Sequence, residues 1–133
     1  MLRPLSKRYA PDHDLALALW ATGNHEARLL ASMIDDPAAV TEGQMEAWAA
    51  QFDSWDVCDQ VTSNLFDRTP FAYAKVAEWS SREDEWVKRA AFATAAALAA
   101  ALSAFAAAPA SAQSAAAKAK EQIGHPPGGA NRR

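Results

Sequence analysis

Near the middle of the chain a large ring and two carboxylates fall within five residues, Trp55-Asp56-Val57-Cys58-Asp59. They are preceded by Phe52-Asp53-Ser54, and Ser54 is of the type that caps a helix N-terminus. A helix starting there places Trp55 and Asp59, four residues apart, one above the other on a single face. A flat π surface beside a carboxylate can hold a cationic or electron-poor ligand. The same residues also fit plain structure. Trp55 could pack against the preceding helix, and Asp59 could pair with Arg89 or Lys88.

Two further stretches place rings and charges in the first turns of a helix: His25-Glu26-Ala27-Arg28 and Glu85-Trp86-Val87-Lys88-Arg89. Arg28, Lys88 and Arg89 could contact phosphates while Trp55 offers a stacking surface and Asp59 a negative charge. Each has a structural counter-reading. Arg89 lies four residues after Glu85, the spacing of a surface ion pair, and His25 suits an exposed helix start. His25 has no second histidine or carboxylate at metal-ligand spacing, so no metal is expected. Cys58 has no nearby histidine and reads as a small buried hydrophobe. The sequence holds no serine nucleophile elbow, phosphate loop or dinucleotide glycine fingerprint, and no cofactor is expected.

The elements that must position these residues read as helices throughout. Pro11-Asp12 opens one that carries Leu15, Leu17, Leu19 and Trp20 to a stop at Thr22-Gly23. Asn24 caps a second, His25 to about Ile34, ended by Asp35-Asp36-Pro37. Thr41 with Gln44 has the form of a capping box for a third, with Met45, Trp48, Ala49 and Phe52 as its apolar stripe. Ser54 opens the fourth, Thr69-Pro70 a fifth, and Ser81-Arg82-Glu83-Asp84 a sixth that runs into an alanine tract. Three helix pairs thus follow one another at intervals of roughly thirty residues, the pattern of an α-solenoid. Trp20, Trp48 and Trp79 recur late in the first helix of each pair and are expected to pack between helices. Second helices of such pairs usually line the concave, ligand-binding face. The expected organisation is a helical repeat domain over 1–107, then a segment over 108–133 made of an alanine-rich possible helix, Ser111 to Ile123, and a flexible basic tail from His125 onward.

Composition narrows the function classes. A chain of 133 residues, half of them hydrophobic, suits one domain with a sizeable core. A net charge of −3 disfavours non-specific nucleic-acid binding, although a local basic face remains compatible with it. One cysteine excludes an internal disulfide and fits a reducing compartment. Met1 to Arg8 is a basic lead-in without an apolar run behind it, so no secretory signal is expected and the cytoplasm is the expected location. The run Ala90 to Ala110 is nearly all alanine, which contributes little on insertion scales, so no membrane span is expected.

Three runs carry a resemblance: His13-Asp14-Leu15-Ala16-Leu17-Ala18-Leu19-Trp20, Gly23-Asn24-His25-Glu26-Ala27-Arg28, and above all Asp53-Ser54-Trp55-Asp56-Val57-Cys58-Asp59. Together they resemble the AlkD-like DNA alkylation repair family. The resemblance implies an all-α, HEAT-like solenoid of about three antiparallel helix pairs. It also implies a DNA glycosylase that hydrolyses the N-glycosidic bond of cationic N3- and N7-alkylpurines in double-stranded DNA, gripping the backbone without flipping the base into a pocket. On this resemblance Trp55 packs against the lesion's deoxyribose, Asp59 stabilises the developing oxocarbenium ion and positions water, and Arg89 holds a nearby phosphate, with Lys88 as the fallback. Arg28, Lys88 and His25 are the expected further DNA contacts. The rival expectation is a non-catalytic helical-repeat module that binds nucleic acid or protein.

Overall fold

In a computed structural model of the chain, residues 2–109 are described, together with Ser111 and Lys118. The expected helix Ser111 to Ile123 and the basic tail beyond it lie almost wholly outside the described residues. Among those described, every regular element is helical: α1 (Leu2–Tyr9), α2 (His13–Ala21), α3 (His25–Ile34), α4 (Glu42–Ala49), α5 (Trp55–Asn64), α6 (Ala72–Trp79) and α7 (Glu85–Ala107), with a single 3-10 turn at Phe66–Arg68. The chain divides into two compact units, Met1–Leu98 and Ala99–Arg133, and Trp55, Asp59, Lys88 and Arg89 all belong to the first.

Local sequence explains most of the boundaries. The Asp12 carboxylate accepts from the Leu15 amide at 3.0 Å, and Asn24 accepts from Ala27 at 3.1 Å, so each occupies a free amide at a helix start. Gly23 between α2 and α3 has φ +73°, where a side chain would be strained, and this lets the hairpin reverse within a few residues.

Four expectations need correction. The basic lead-in is itself a helix, α1, packed on α3. Thr41 caps α4 through the Gln44 amide at 3.0 Å, but the Gln44 side chain does not complete a capping box; it donates instead to buried Asp35 at 2.7 Å. Thr69-Pro70 opens no helix, because Thr69 closes the 3-10 turn and donates its hydroxyl to the Phe66 carbonyl, while α6 starts at Ala72. Finally α7 is capped by Asp84, which accepts from the Trp86 and Val87 amides, whereas Ser81 donates back to Glu78. In the last three places the side chain of the expected pattern found another partner: Gln44 a distant carboxylate, Thr69 and Ser81 a preceding backbone carbonyl.

The pairs α2/α3, α4/α5 and α6/α7 form two rows, an arrangement compatible with an α-solenoid. In the row of first helices, Trp20 of α2 and Trp48 of α4 stack with ring centres 4.0 Å apart and planes 3° from parallel. Trp48 and Trp79 of α6 both lie against Phe66. The three recurring tryptophans are therefore buried packing residues, each such ring pair contributing about 1 kcal/mol beyond its area. Leu17 differs from expectation: it points to solvent, since the buried stripe of α2 runs through Ala16 and Trp20.

A charge network ties the first-helix row further. Lys75 is only 2% exposed, with Nζ at 3.0, 2.8 and 3.1 Å from carboxylates of Glu42, Glu46 and Glu78. Glu46 also accepts from the Trp79 indole at 2.9 Å and from Arg82. A second polar knot holds α2 to the segment after α3, where buried Asp35 receives His13 Nδ1 at 2.6 Å and the Gln44 amide.

In the row of second helices, α3, α5 and α7 lie side by side. His25 Nε2 sits 2.8 Å from Asp56, joining α3 to α5, and Asp59 pairs with Arg89, joining α5 to α7. α7 is long and apolar enough to cross a bilayer, with a mean hydropathy of 1.8 over its best window. Its first three turns are nevertheless tied into the core through Val87, Ala90, Ala91 and Thr94. Leu102 and Phe105 further along are exposed.

Candidate functional site

Ser54 occupies the N-cap position of α5 with extended backbone, although its hydroxyl makes no capping hydrogen bond. From there the helix turns Val57, Cys58, Val61 and Thr62 into the core, which leaves Trp55 and Asp59 on the flank facing α7. Trp55 is 64% exposed, so it is not the packing ring that a first-turn tryptophan could have been. α7 meets this flank with Arg89: Nε donates to one Asp59 oxygen at 3.0 Å and Nη2 to the other at 2.8 Å. This fork-to-fork geometry fixes both planes and is the stronger kind of ion pair. The Asp59 hydrogen bonds raise the affinity of the Arg89 guanidinium for its proton, so the residue stays charged at any working pH.

Around this pair lies an open groove of about 680 Å3, walled by Trp55 on one side and by Trp86 and Phe92 on the other. Lys88 lines it as well, and Glu83 and Glu85 stand at its edge. Phe92 is 64% exposed and sits three residues after Arg89, on the same side of α7. Three rings thus surround one carboxylate–guanidinium pair. Trp86 belongs to a stretch that the sequence placed among the candidate ligand-facing segments, without a role of its own, whereas Phe92 was not singled out. A usable signal was present, because α7 buries the stripe Val87, Ala90, Ala91, Thr94, and a large ring at position 92 falls off that stripe.

Of the six residues singled out by sequence, Trp55, Asp59, Arg89 and Lys88 meet at the groove, and His25 and Arg28 do not line it. The Arg28 guanidinium lies 4.8 Å over the Trp20 ring, and Nη2 donates to Gln51 Oε1 at 2.9 Å. Gln51 in turn accepts from the Trp20 indole, so Arg28 is engaged in joining the first two helix pairs. Neighbouring Cys58 is no nucleophile. Burial, helped by the Asp59 charge, pushes its thiol up to about 12, and its sulfur is directed to the Trp86 carbonyl. Among the described residues no cluster of His, Cys, Asp and Glu is arranged to hold a metal ion.

The fold and site together define an all-helical, solenoid-like protein with an aromatic and charged groove on its second-helix row. The description of one protein family, DNA alkylation repair enzyme, matches residues 1–125, and the chain belongs to that family. Neither the curated proteins nor the solved structures contain a match to it. Membership makes DNA alkylation repair the role of the chain and DNA its partner.

Proposed function

We propose that the groove is the active site of a DNA glycosylase that hydrolyses the N-glycosidic bond of cationic N3- or N7-alkylpurines in duplex DNA. The observation that carries this reading is the meeting of exposed Trp55 with the Asp59–Arg89 pair in one open groove. An alkylated purine already bears a positive charge. It leaves with the bonding electron pair as a neutral base, so no general acid is required. The charge then develops on the sugar, where a carboxylate stabilises it.

In this reading Asp59 takes that task and orients the water that adds to the sugar cation and gives up its proton. Trp55 supplies a flat apolar surface against the deoxyribose. Arg89 has five N–H donors, of which two bind Asp59, so three remain for a phosphodiester. Bridging of phosphate and carboxylate by one guanidinium would hold the lesion's backbone at a fixed place relative to Asp59. On the far wall, Phe92 and Trp86 give the groove its second aromatic side.

The test is release of 7-methylguanine and 3-methyladenine from methylated duplex DNA by the purified chain, compared with Asp59→Asn. Release by the wild type and its loss in the variant, with DNA binding retained, is the expected result. Absence of release at every salt concentration overturns the reading and leaves a non-catalytic binding module.

A further inference from the structure

At the other end of α5 the structure contains a second concavity, of about 170 Å3, lined by Arg3, Ser6, Met33, Asn64 and Arg68. It is polar, no acidic side chain lines it, and it depends on α1, since Arg3 and Ser6 both belong to that helix. Its two arginines are unusual for this protein. Most other basic side chains of the helix pairs are committed: Lys75 and Arg82 to glutamates, Arg89 to Asp59, Arg28 to Gln51. Among the described residues Arg3 and Arg68 form no ion pair with a carboxylate within 4.0 Å, Arg68 having only the more distant charge of neighbouring Asp67 near it, and both are exposed. The Asn64 amide is held in place by Ser32 at 3.1 Å, and Ser6 is anchored to the Arg3 carbonyl at 2.8 Å. The Ser6 hydroxyl is spent on that carbonyl, and the Asn64 amide donates to Gln60 as well as Ser32, so the donors this hollow offers are its two guanidinium groups, and two guanidinium groups at one hollow larger than one water suit an oxyanion.

From this we infer that Arg3 and Arg68 form an anion-binding subsite for a phosphodiester of DNA, separate from the groove at Trp55 and Asp59. In naming DNA the inference rests on the proposed function. Asn64 follows Trp55 by nine residues, which is about 14 Å along the helix axis and two and a half turns around it. The hollow and the groove therefore flank the solvent-facing strip of α5 that carries Gln60 and Ser63, at its opposite ends and on opposite sides. With the offset across α5 added, the two places lie at least about 14 Å apart, which is about four or more nucleotides of one strand at an axial 3.4 Å each. One DNA segment lying obliquely across α5 can thus reach Arg68 and Arg3 with one phosphate and Arg89 with another. The subsite sets where the backbone lies and takes no part in breaking the glycosidic bond.

The experiment compares wild type with the double variant Arg3→Gln/Arg68→Gln on a short methylated duplex, by affinity across a salt series and by single-turnover base release at saturating protein. Both side chains are exposed, so thermal midpoints should agree; a single variant Arg8→Gln, altering an α1 arginine that does not line the hollow, controls for general charge loss. The expected result is a loss of affinity of at least tenfold, a salt slope smaller by about 0.9 for the one phosphate no longer neutralised, and an unchanged release rate once DNA is bound. Equal affinity and slope in wild type and double variant overturn the subsite while leaving the glycosylase reading intact. The opposite separation arises if wild type releases no base yet the slope still falls in the double variant, for then the subsite stands and the glycosylase reading fails. Titration with inorganic phosphate, read by NMR at the Arg3 and Arg68 side chains, separates the two possible sources. Saturation by phosphate together with an unchanged DNA slope overturns the DNA assignment.

Discussion

Two tryptophan–carboxylate–cation constellations, one in each row of helices, are used in opposite ways. In the first-helix row, Trp79 is fully buried, its indole donates to Glu46, and Lys75 is enclosed among three glutamates. In the second-helix row, Trp55 projects into solvent and Asp59 pairs with Arg89 in an open groove. The residue types match, so chemistry alone does not separate a strut from a site. What differs is satisfaction. Every group in the first set has its partners inside the protein, whereas the second leaves a ring face and three guanidinium N–H groups available.

Substitutions can break this contrast in order of expected size. Trp79→Ala should cost about 3–5 kcal/mol of stability in urea denaturation, since it opens a cavity beside Phe66 and leaves Glu46 without its indole donor. A cost under about 1 kcal/mol would show that the first set is not a strut. For Asp59→Asn the effect should move to chemistry, with base release falling on the order of 10²–10³-fold while stability changes by no more than about 1 kcal/mol, as for an exposed ion pair. Lys75→Ala should destabilise by about 2 kcal/mol, below the range for a fully buried pair because its glutamate partners remain partly in water. By contrast Trp55→Ala should leave stability within about 0.5 kcal/mol and weaken binding of lesion-containing DNA. A large stability loss there would turn Trp55 into a packing residue after all.

The smallest effect sharpens the comparison through pH. Burial alone would raise the Glu46 carboxyl, but hydrogen bonds from Lys75 and Trp79 outweigh it and hold the group below the ordinary range; hydrogen bonds from Lys75 and Arg82 lower Glu78 likewise. Groups depressed on folding contribute stability above their unfolded value, about 4.3 for Glu, and lose it as pH falls through the folded value. The Lys75 ammonium is partly desolvated, but its glutamate hydrogen bonds hold its proton more tightly than usual, so that contribution is present below about pH 10.4 and fades only above it. Urea midpoints should therefore be flat with respect to these groups between about pH 5 and 10 and fall below about 4.3, and Glu46→Gln should shallow the acid limb.

Much of the frame was legible in sequence because it is written in short-range rules. Asn24 and Thr41 are caps, Gly23 needs its positive φ, and the spacing of Trp20, Trp48 and Trp79 marked the packing row. The errors came where a side chain had a choice of partner. Gln44 found Asp35 rather than its own helix start, Thr69 closed a 3-10 turn, and Asp84 displaced Ser81 as the cap of α7. The site was half legible for the same reason. Trp55 and Asp59 share a helix, so their spacing is local, while Phe92 and Trp86 join them only because α7 docks beside α5.

By itself the sequence determined an all-helical chain of paired helices, the buried tryptophan row, and the shared face of Trp55 and Asp59, since each follows from backbone period and capping chemistry within a few residues. Only the tertiary structure decided that Asp59 pairs with Arg89 rather than Lys88, that Trp55 is exposed, that Arg28 turns to Gln51 and Trp20, and that Arg3 of α1 comes to share a hollow with Arg68. The physical reason is that burial and long-range pairing depend on which helix faces dock together, a property of the whole packed core that no single stretch contains.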